Sequence, residues 1–457
     1  MKSLPKNNKG DQQNVFINQR LDVTNRCEAG LRQVVDVSWR RGFLPETVKR
    51  QSITVNNGAP MIIRTPRTLE ASPAPTSSKR VAVRLATTAM TCAALTLGAT
   101  AQAQASINFI ANSWYDQQHP HTLFGYTEWA ETVRELSNGE LDPEVYTGTV
   151  LLAPRAALQG IRDNIVQVAH HAAIFTPSEL PVANAVQELG FNFSDPLVTS
   201  LAVTDFSLNN AAQLEEWEEV GVVYLGAYTT SPYVLFCREP VRNLREMQGK
   251  RIRTAGSMVS QWVEQAGGIP VNVPSSEMYS GLDRGSLDCA SNSPLDLITR
   301  SLWEVAEHTT MLPTGMYWSG PQWGYNPDFW SGLSEEHRRV LMEASAKAMT
   351  RMIVQYVKLD ESSLAEAREK GNNIYEPEGD LLESAENFRE AAISEIYDVA
   401  RERHGIQEPE ALIDDFLATY EKWEALVAEV DREDEEALAE LAMREIYDKL
   451  PDDYAVR

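Results

Sequence analysis

The sequence predicts an α/β protein of two lobes that ends in a run of helices. Three observations carry this reading. Short apolar runs alternate with amphipathic helical segments after residue 105, the alternation recurs more cleanly between residues 249 and 294, and nearly every window from Ser334 onward has helical periodicity.

The 457 residues, 43% hydrophobic and 8% aromatic, suffice for two or three domains with a sizeable core. The first hundred residues read unlike the rest. Lys79, Arg80 and Arg84 precede an apolar run over 85–100, and "AQAQA" then offers Ala101-x-Ala103 and Ala103-x-Ala105, the pattern of a cleaved secretory signal peptide over 79–105. Sixteen weakly apolar residues are too few to cross a bilayer comfortably. Residues 1–78 lie upstream of where such a peptide should begin; they are expected to be a disordered, non-native extension, with Met61 a candidate initiator. Cleavage moves the formal charge from −24 to about −33, because residues 1–105 carry 15 Lys/Arg and 6 Asp/Glu. So acidic a chain argues against nucleic acid or an anionic membrane as partner. The signal peptide predicts a periplasmic protein. Two cysteines remain after cleavage, Cys237 and Cys289, for which a disulfide and a pair of buried thiols both stay open.

The first lobe is read over 106–230. "SINFIANSW" is a strand, and "TLFGYTEWAETVRELSNG" a helix closed by Asn138-Gly139. "LDPEVYTG" is a second strand; a helical "APRAALQGIRDN" and an apolar "IVQVAHHAAIF" follow, giving a mainly parallel sheet. The second lobe is read over 231–318. "RIRTA", "IPVNVP" and "SLDCASN" are strands, separated by a helix "SMVSQWVEQAGG" with Ser257 at its N-cap and a helix "EMYSGLDRG" capped by Ser275 or Ser276. A third helix, "PLDLITRSLWEVAEH", starts near Pro294. Residues 319–457 supply a hinge crossing, a long bracing helix and further helices, part of 319–358 completing the first lobe. Their dense charges are solvated helix faces.

Ligands of open α/β sheets occupy the crevice beyond the carboxyl ends of the strands. Arg253 ends "RIRTA", just before Gly256 and a helix start, and Asn292 ends the third strand on the same edge. A planar guanidinium beside backbone N–H groups suits a carboxylate, since it grips both oxygens and never loses its charge. A structural salt bridge is the competing reading for Arg253. Arg251 is expected to face away from the crevice and to form such a bridge. There is no GxxxxGK[ST], GxSxG or HExxH, and the cysteines lack zinc spacing. His170 and His171 fall on opposite faces of a strand, which separates them as metal ligands; His170 is a candidate for the cleft wall. Trp318 leaves the second lobe in a Gly/Pro-rich crossing, where pocket wall and core are both open, while Trp323 is assigned to the core.

In order and spacing, "INFIANSWYDQQHP", "WAETVRELSNGEL", "VRNLREMQGKRIR", "PSSEMYSGLDRGSLD" and "NPDFWSGLSEEHRRVL" resemble the solute-binding proteins of tripartite ATP-independent periplasmic (TRAP) transporters. The resemblance implies a type II periplasmic binding protein fold, with two α/β lobes joined by hinge strands and closing on a ligand that is handed to a membrane permease. It places Arg253 at the carboxylate-gripping arginine and Asn292 at or beside a cleft position. Tyr233 stands where several members carry a second arginine, and Trp318 is followed by Ser319 rather than by a cation-holding glutamate. The expectation is therefore a monomeric, non-enzymatic binder of a small organic acid, a C4-dicarboxylate or a related oxo or hydroxy acid, with Arg253, Asn292, Tyr233, Trp318 and His170 at the ligand and with no metal or cofactor. A receptor-linked sensor and, further off, a secreted enzyme for a carboxylated substrate are the alternatives.

Overall fold

The computed structural model describes residues 106–457; the extension over 1–78 and the signal peptide over 79–105 lie outside the described residues. Among the described residues, eleven strands form two sheets. In the first, β1 (Ile107–Ser113) runs parallel to β2 (Leu141–Thr147) and to β3 (Val168–Ala169). β4 (Val223–Tyr224) closes the sheet through a later strand, β10 (Gly324–Tyr325), antiparallel to both β3 and β4. The order is β2-β1-β3-β10-β4, so β2 is an edge strand. That position tolerates Pro143, which has no N–H to give to a further neighbour.

The second sheet contains β5 (Val234–Cys237), β6 (Arg251–Arg253), β7 (Ile269–Val271), β8 (Cys289–Asn292), β9 (His308–Thr310) and β11 (Asn373–Tyr375), in the order β11-β9-β5-β8-β6-β7. β6 lies parallel to β7 and β8, whereas β5 enters from the first lobe and runs antiparallel to β8 and β9. Each lobe thus holds one strand or more delivered by the crossing segments. Side chains of β5 alternate: Leu235 and Cys237 join a core with Ile252, Trp262 and Phe388, while Val234 and Phe236 join one with Met278, Leu282 and Leu302. A pleated strand buried on both faces requires this near-continuous apolar run. Cys237 and Cys289 are register partners across β5 and β8, with Cα atoms 4.1 Å apart, and they form a disulfide.

Four expectations are corrected. The second helix of the second lobe, Met278–Asp283, has Glu277 rather than Ser275 or Ser276 at its N-cap, because the two serines form a preceding 3-10 turn. The third helix of the second lobe shrinks to Asp296–Thr299, because Ser301 adopts a left-handed backbone (φ 53°) and the chain then enters β9. β11 interrupts the helical C-terminal region as a three-residue edge strand. The helix Ser257–Gln265 is capped by Gly256, not Ser257; at φ 100° this residue must turn the chain sharply from β6 into the helix, a conformation that glycine alone reaches cheaply.

The helix Glu335–Glu369 is 35 residues long, and Ser334 caps it by accepting the His337 N–H at 3.1 Å. It braces both lobes. Arg351 pairs with Glu128 of the first (2.8 Å), while Tyr356 Oη donates to Ser293 Oγ and Asp360 accepts the Leu295 N–H in the second, both at 2.8 Å. The helix Gly379–His404 does likewise. Leu381, Ala385, Phe388 and Ala392, three or four residues apart, pack on the second lobe, and Ile396 and Ala400 continue the stripe into the first-lobe core.

Candidate functional site

The carboxyl ends of β6 and β8 meet the loop after β1 across a cleft. Arg253, at the end of β6, is only 5% exposed. Its Nε donates to the Val273 carbonyl and its Nη1 to the Ser291 carbonyl, each at 3.0 Å. Both partners are neutral, and among the described residues no carboxylate forms a salt bridge with it. A guanidinium has five N–H donors, so the fork keeps donors in hand toward the cleft. Arg251 is different: its Nε and Nη2 clasp the Asp288 carboxylate at 2.9 and 2.8 Å. The salt bridge is as expected, but residues two apart on a strand share a face, and it is Ile252 that points the other way into the core. Arg251 stays out of the cleft because it stands at the entry of β6 rather than at its exit.

Around Arg253 the cleft is walled by Trp114, Tyr115, His119 and Ile174 from the first lobe, and by Ser275, Asn292 and Asp296 from the second. Tyr233 and Tyr317 come from the crossing segments and Tyr356 from the brace. The space left between these side chains is about 20 Å³, room for about one water, so a larger ligand requires the lobes to part or the aromatics to swing. Tyr115 stacks on Trp114 (4.0 Å) and on His119 (4.1 Å). Burial raises the Tyr115 phenol well above its usual pKa and raises that of Tyr233, so both remain neutral donors at physiological pH. Ser275 Oγ is buried and has no hydrogen-bond partner among the described residues. Two phenols, a serine hydroxyl and the arginine fork therefore line the same small space.

Asp296 is the acidic member. It is 2% exposed and accepts from Thr299 Oγ1 (2.7 Å), Arg300 Nε (3.2 Å) and Asn292 Nδ2. Burial works against the charge on Arg300, yet Asp296 and Asp116 together hold its pKa above the ordinary value. Arg300 Nη1 reaches Asp116 of the first lobe at 2.7 Å, an ion pair that spans the cleft mouth.

Of the residues predicted from sequence, Arg253, Asn292 and Tyr233 share the cleft wall. His170 stands behind it, its ring 4.2 Å from Tyr228 and 5.2 Å from Trp114, with neither ring nitrogen partnered among the described residues. Burial lowers its pKa well below the usual value, and that of His121 to about 3, so the imidazoles are uncharged. Trp318 lies away from the cleft, against Phe193 and Phe416, and its neighbour Tyr317 takes the wall position. Sequence reasoning passed over Tyr115, His119, Ser275 and Asp296. One signal was available: Asn292, Asp296 and Arg300 recur at intervals of four in "NSPLDLITR".

Two α/β sheets joined by crossing strands, braced by a long helix and closed on a polar cleft, define a solute-binding protein of the type II periplasmic fold. The chain belongs to the bacterial extracellular solute-binding protein family 7 (DctP), whose match covers residues 111–401. Its TRAP-type relatives include the C4-dicarboxylate-binding periplasmic protein DctP of Rhodobacter capsulatus, 26% identical over 231 residues, or 49% of this chain and 66% of that one. Among solved structures, the ectoine-binding protein of the TeaABC TRAP transporter of Halomonas elongata superposes with a TM-score of 0.60 at 20% identity, covering 69% of this chain and all (100%) of that one. A marine metagenome TRAP solute-binding protein specific for aromatic acid ligands gives 0.62 at 19% identity, covering 70% and 99%. Relatives of one fold are thus named for binding a C4-dicarboxylate, ectoine and aromatic acids.

Proposed function

We propose that this protein captures a small organic acid in the periplasm by a single carboxylate and delivers it to a TRAP-type membrane permease. The observation that carries the reading is Arg253: a buried guanidinium held in place by two carbonyls, with no counter-ion among the described residues. A buried cation without a partner is costly, and an incoming carboxylate relieves that cost through charge-assisted bonds strengthened by the low local dielectric. Tyr115, Tyr233 and Ser275 add neutral donors, and the lobes shut over the pair. Closure is driven by the ligand's greater affinity for the shut form, so no energy input from this subunit is needed.

The same charge count favours one carboxylate over two. Arg300, the other buried cation of the region, is already engaged by Asp296 and Asp116, which leaves a C4-dicarboxylate without a second fork. Titration calorimetry with a panel of mono- and dicarboxylic acids tests the proposal. Monocarboxylates should bind, and Arg253→Ala should abolish the heat. An acid that binds this variant as tightly as the parent would overturn the assignment.

A further inference from the structure

Asp296 does more than neutralise Arg300, because it dictates which end of the Asn292 amide faces it. An arginine and a hydroxyl already donate to its oxygens, so Asp296 faces Asn292 as an acceptor and Asn292 turns Nδ2 toward it. The amide oxygen of Asn292 then points away from Asp296 as an acceptor, on the same wall as Arg253. Asp296 itself receives three hydrogen bonds at about four lone-pair positions, so it too keeps acceptor capacity within the lining. The cleft is thus two-sided in chemistry, with donors from Arg253, Tyr115, Tyr233 and Ser275 and acceptors from Asn292 Oδ1 and Asp296.

Resting on the carboxylate reading of Arg253, we propose that Asn292 and Asp296 select acids that carry a hydrogen-bond donor, a hydroxyl or amino group, beside the carboxylate. Oxo and unsubstituted counterparts are discriminated against. An oxo group brings a lone pair against two acceptors, and a bare methylene leaves both acceptors desolvated and unpaired when the lobes shut. The single O–H of a hydroxyl satisfies one of them, and an ammonium, with three N–H donors, satisfies both. Asn292 touches the ligand in this account; Asp296 acts chiefly as a positioning residue.

Matched acids test this on the purified protein by titration calorimetry: lactate and alanine against pyruvate and propionate, and mandelate against phenylglyoxylate and phenylacetate. Within each set the donor-bearing acid is expected to bind at least about tenfold more tightly. Equal or tighter binding of the oxo or unsubstituted member overturns the inference while leaving the role of Arg253 standing. If no acid in either set binds, the carboxylate reading falls and this inference falls with it. Asp296→Asn frees the Asn292 amide to turn over, and the hydroxy-to-oxo affinity ratio should drop at least about fivefold. An unchanged ratio in the folded variant removes Asp296 from the account, and the parent series decides the selectivity should that variant not fold.

Discussion

Arg253 and Arg300 are both buried in the second lobe, and they have opposite surroundings. Arg300 meets two carboxylates, Asp296 and Asp116; Arg253 meets two carbonyl oxygens. The difference shows that neither the residue type nor its burial makes an anion site. What matters is which charges the fold leaves uncompensated, since a paired guanidinium has little to offer a ligand and a bare one has much to gain. Substituting each arginine should therefore damage different properties.

Arg300→Met is expected to have the largest effect, and on stability. It strands the buried Asp296 carboxylate without its cation, a loss on the order of 3–5 kcal/mol that chemical denaturation would measure. Arg253→Ala should lower ligand affinity by about a hundredfold or more, by the worth of a buried charge-assisted pair. Its ligand-free melting temperature should move much less than that of Arg300→Met. If both variants lose stability equally and both retain binding, the contrast between the two arginines is void.

This contrast was half legible in the sequence. Arg253 could be placed at a strand exit because "RIRTA" is followed by a turn and a helix, and position in an α/β sheet is a local matter. The Cys237–Cys289 disulfide, and the split of β5 into two core faces, needed the pairing of segments 52 residues apart. No local pattern reports such pairing. Trp318 illustrates the same limit, since its own surroundings in sequence fit wall or core equally well and only Phe193, from a loop, and Phe416, from a distant helix, decide it. The short helix ending at Thr299 misled for another reason: helical periodicity runs on through "SLWEVAEH", but tertiary pairing of β9 with β5 overrides it.

Carboxylates repeat the comparison with the sign reversed. Asp296 has its arginine, whereas Asp360 on the brace accepts the Leu295 N–H, and no Lys, Arg or His forms a salt bridge with it among the described residues. Burial pushes its pKa up to about 7. Between about pH 4 and 7 the folded chain then holds a proton that the unfolded chain releases, so this group makes stability fall as pH rises through that window. Asp360→Asn should remove that slope. Relative to the parent, the variant's melting temperature should be higher at pH 8 than at pH 4.5, and a difference that does not change with pH would refute the assignment.

The smallest expected effect concerns the one part of the Arg300 network that leaves the interior. Asp116 is 56% exposed at the side chain, so its bond to Arg300 across the cleft mouth is solvated and screened. Such pairs contribute roughly 0–1 kcal/mol, and here that energy bears only on the shut arrangement, because Asp116 belongs to one lobe and Arg300 to the other. Asp116→Asn should accordingly leave unfolding free energy almost unchanged while weakening ligand binding up to about fivefold, as the shut form loses part of its advantage. Raising the salt to 1 M shortens the screening length to about 3 Å and should bring parent and variant affinities together. A gap between them that persists at high salt would mean that Asp116 touches the ligand itself, and would move it from the rim of the cleft into its wall.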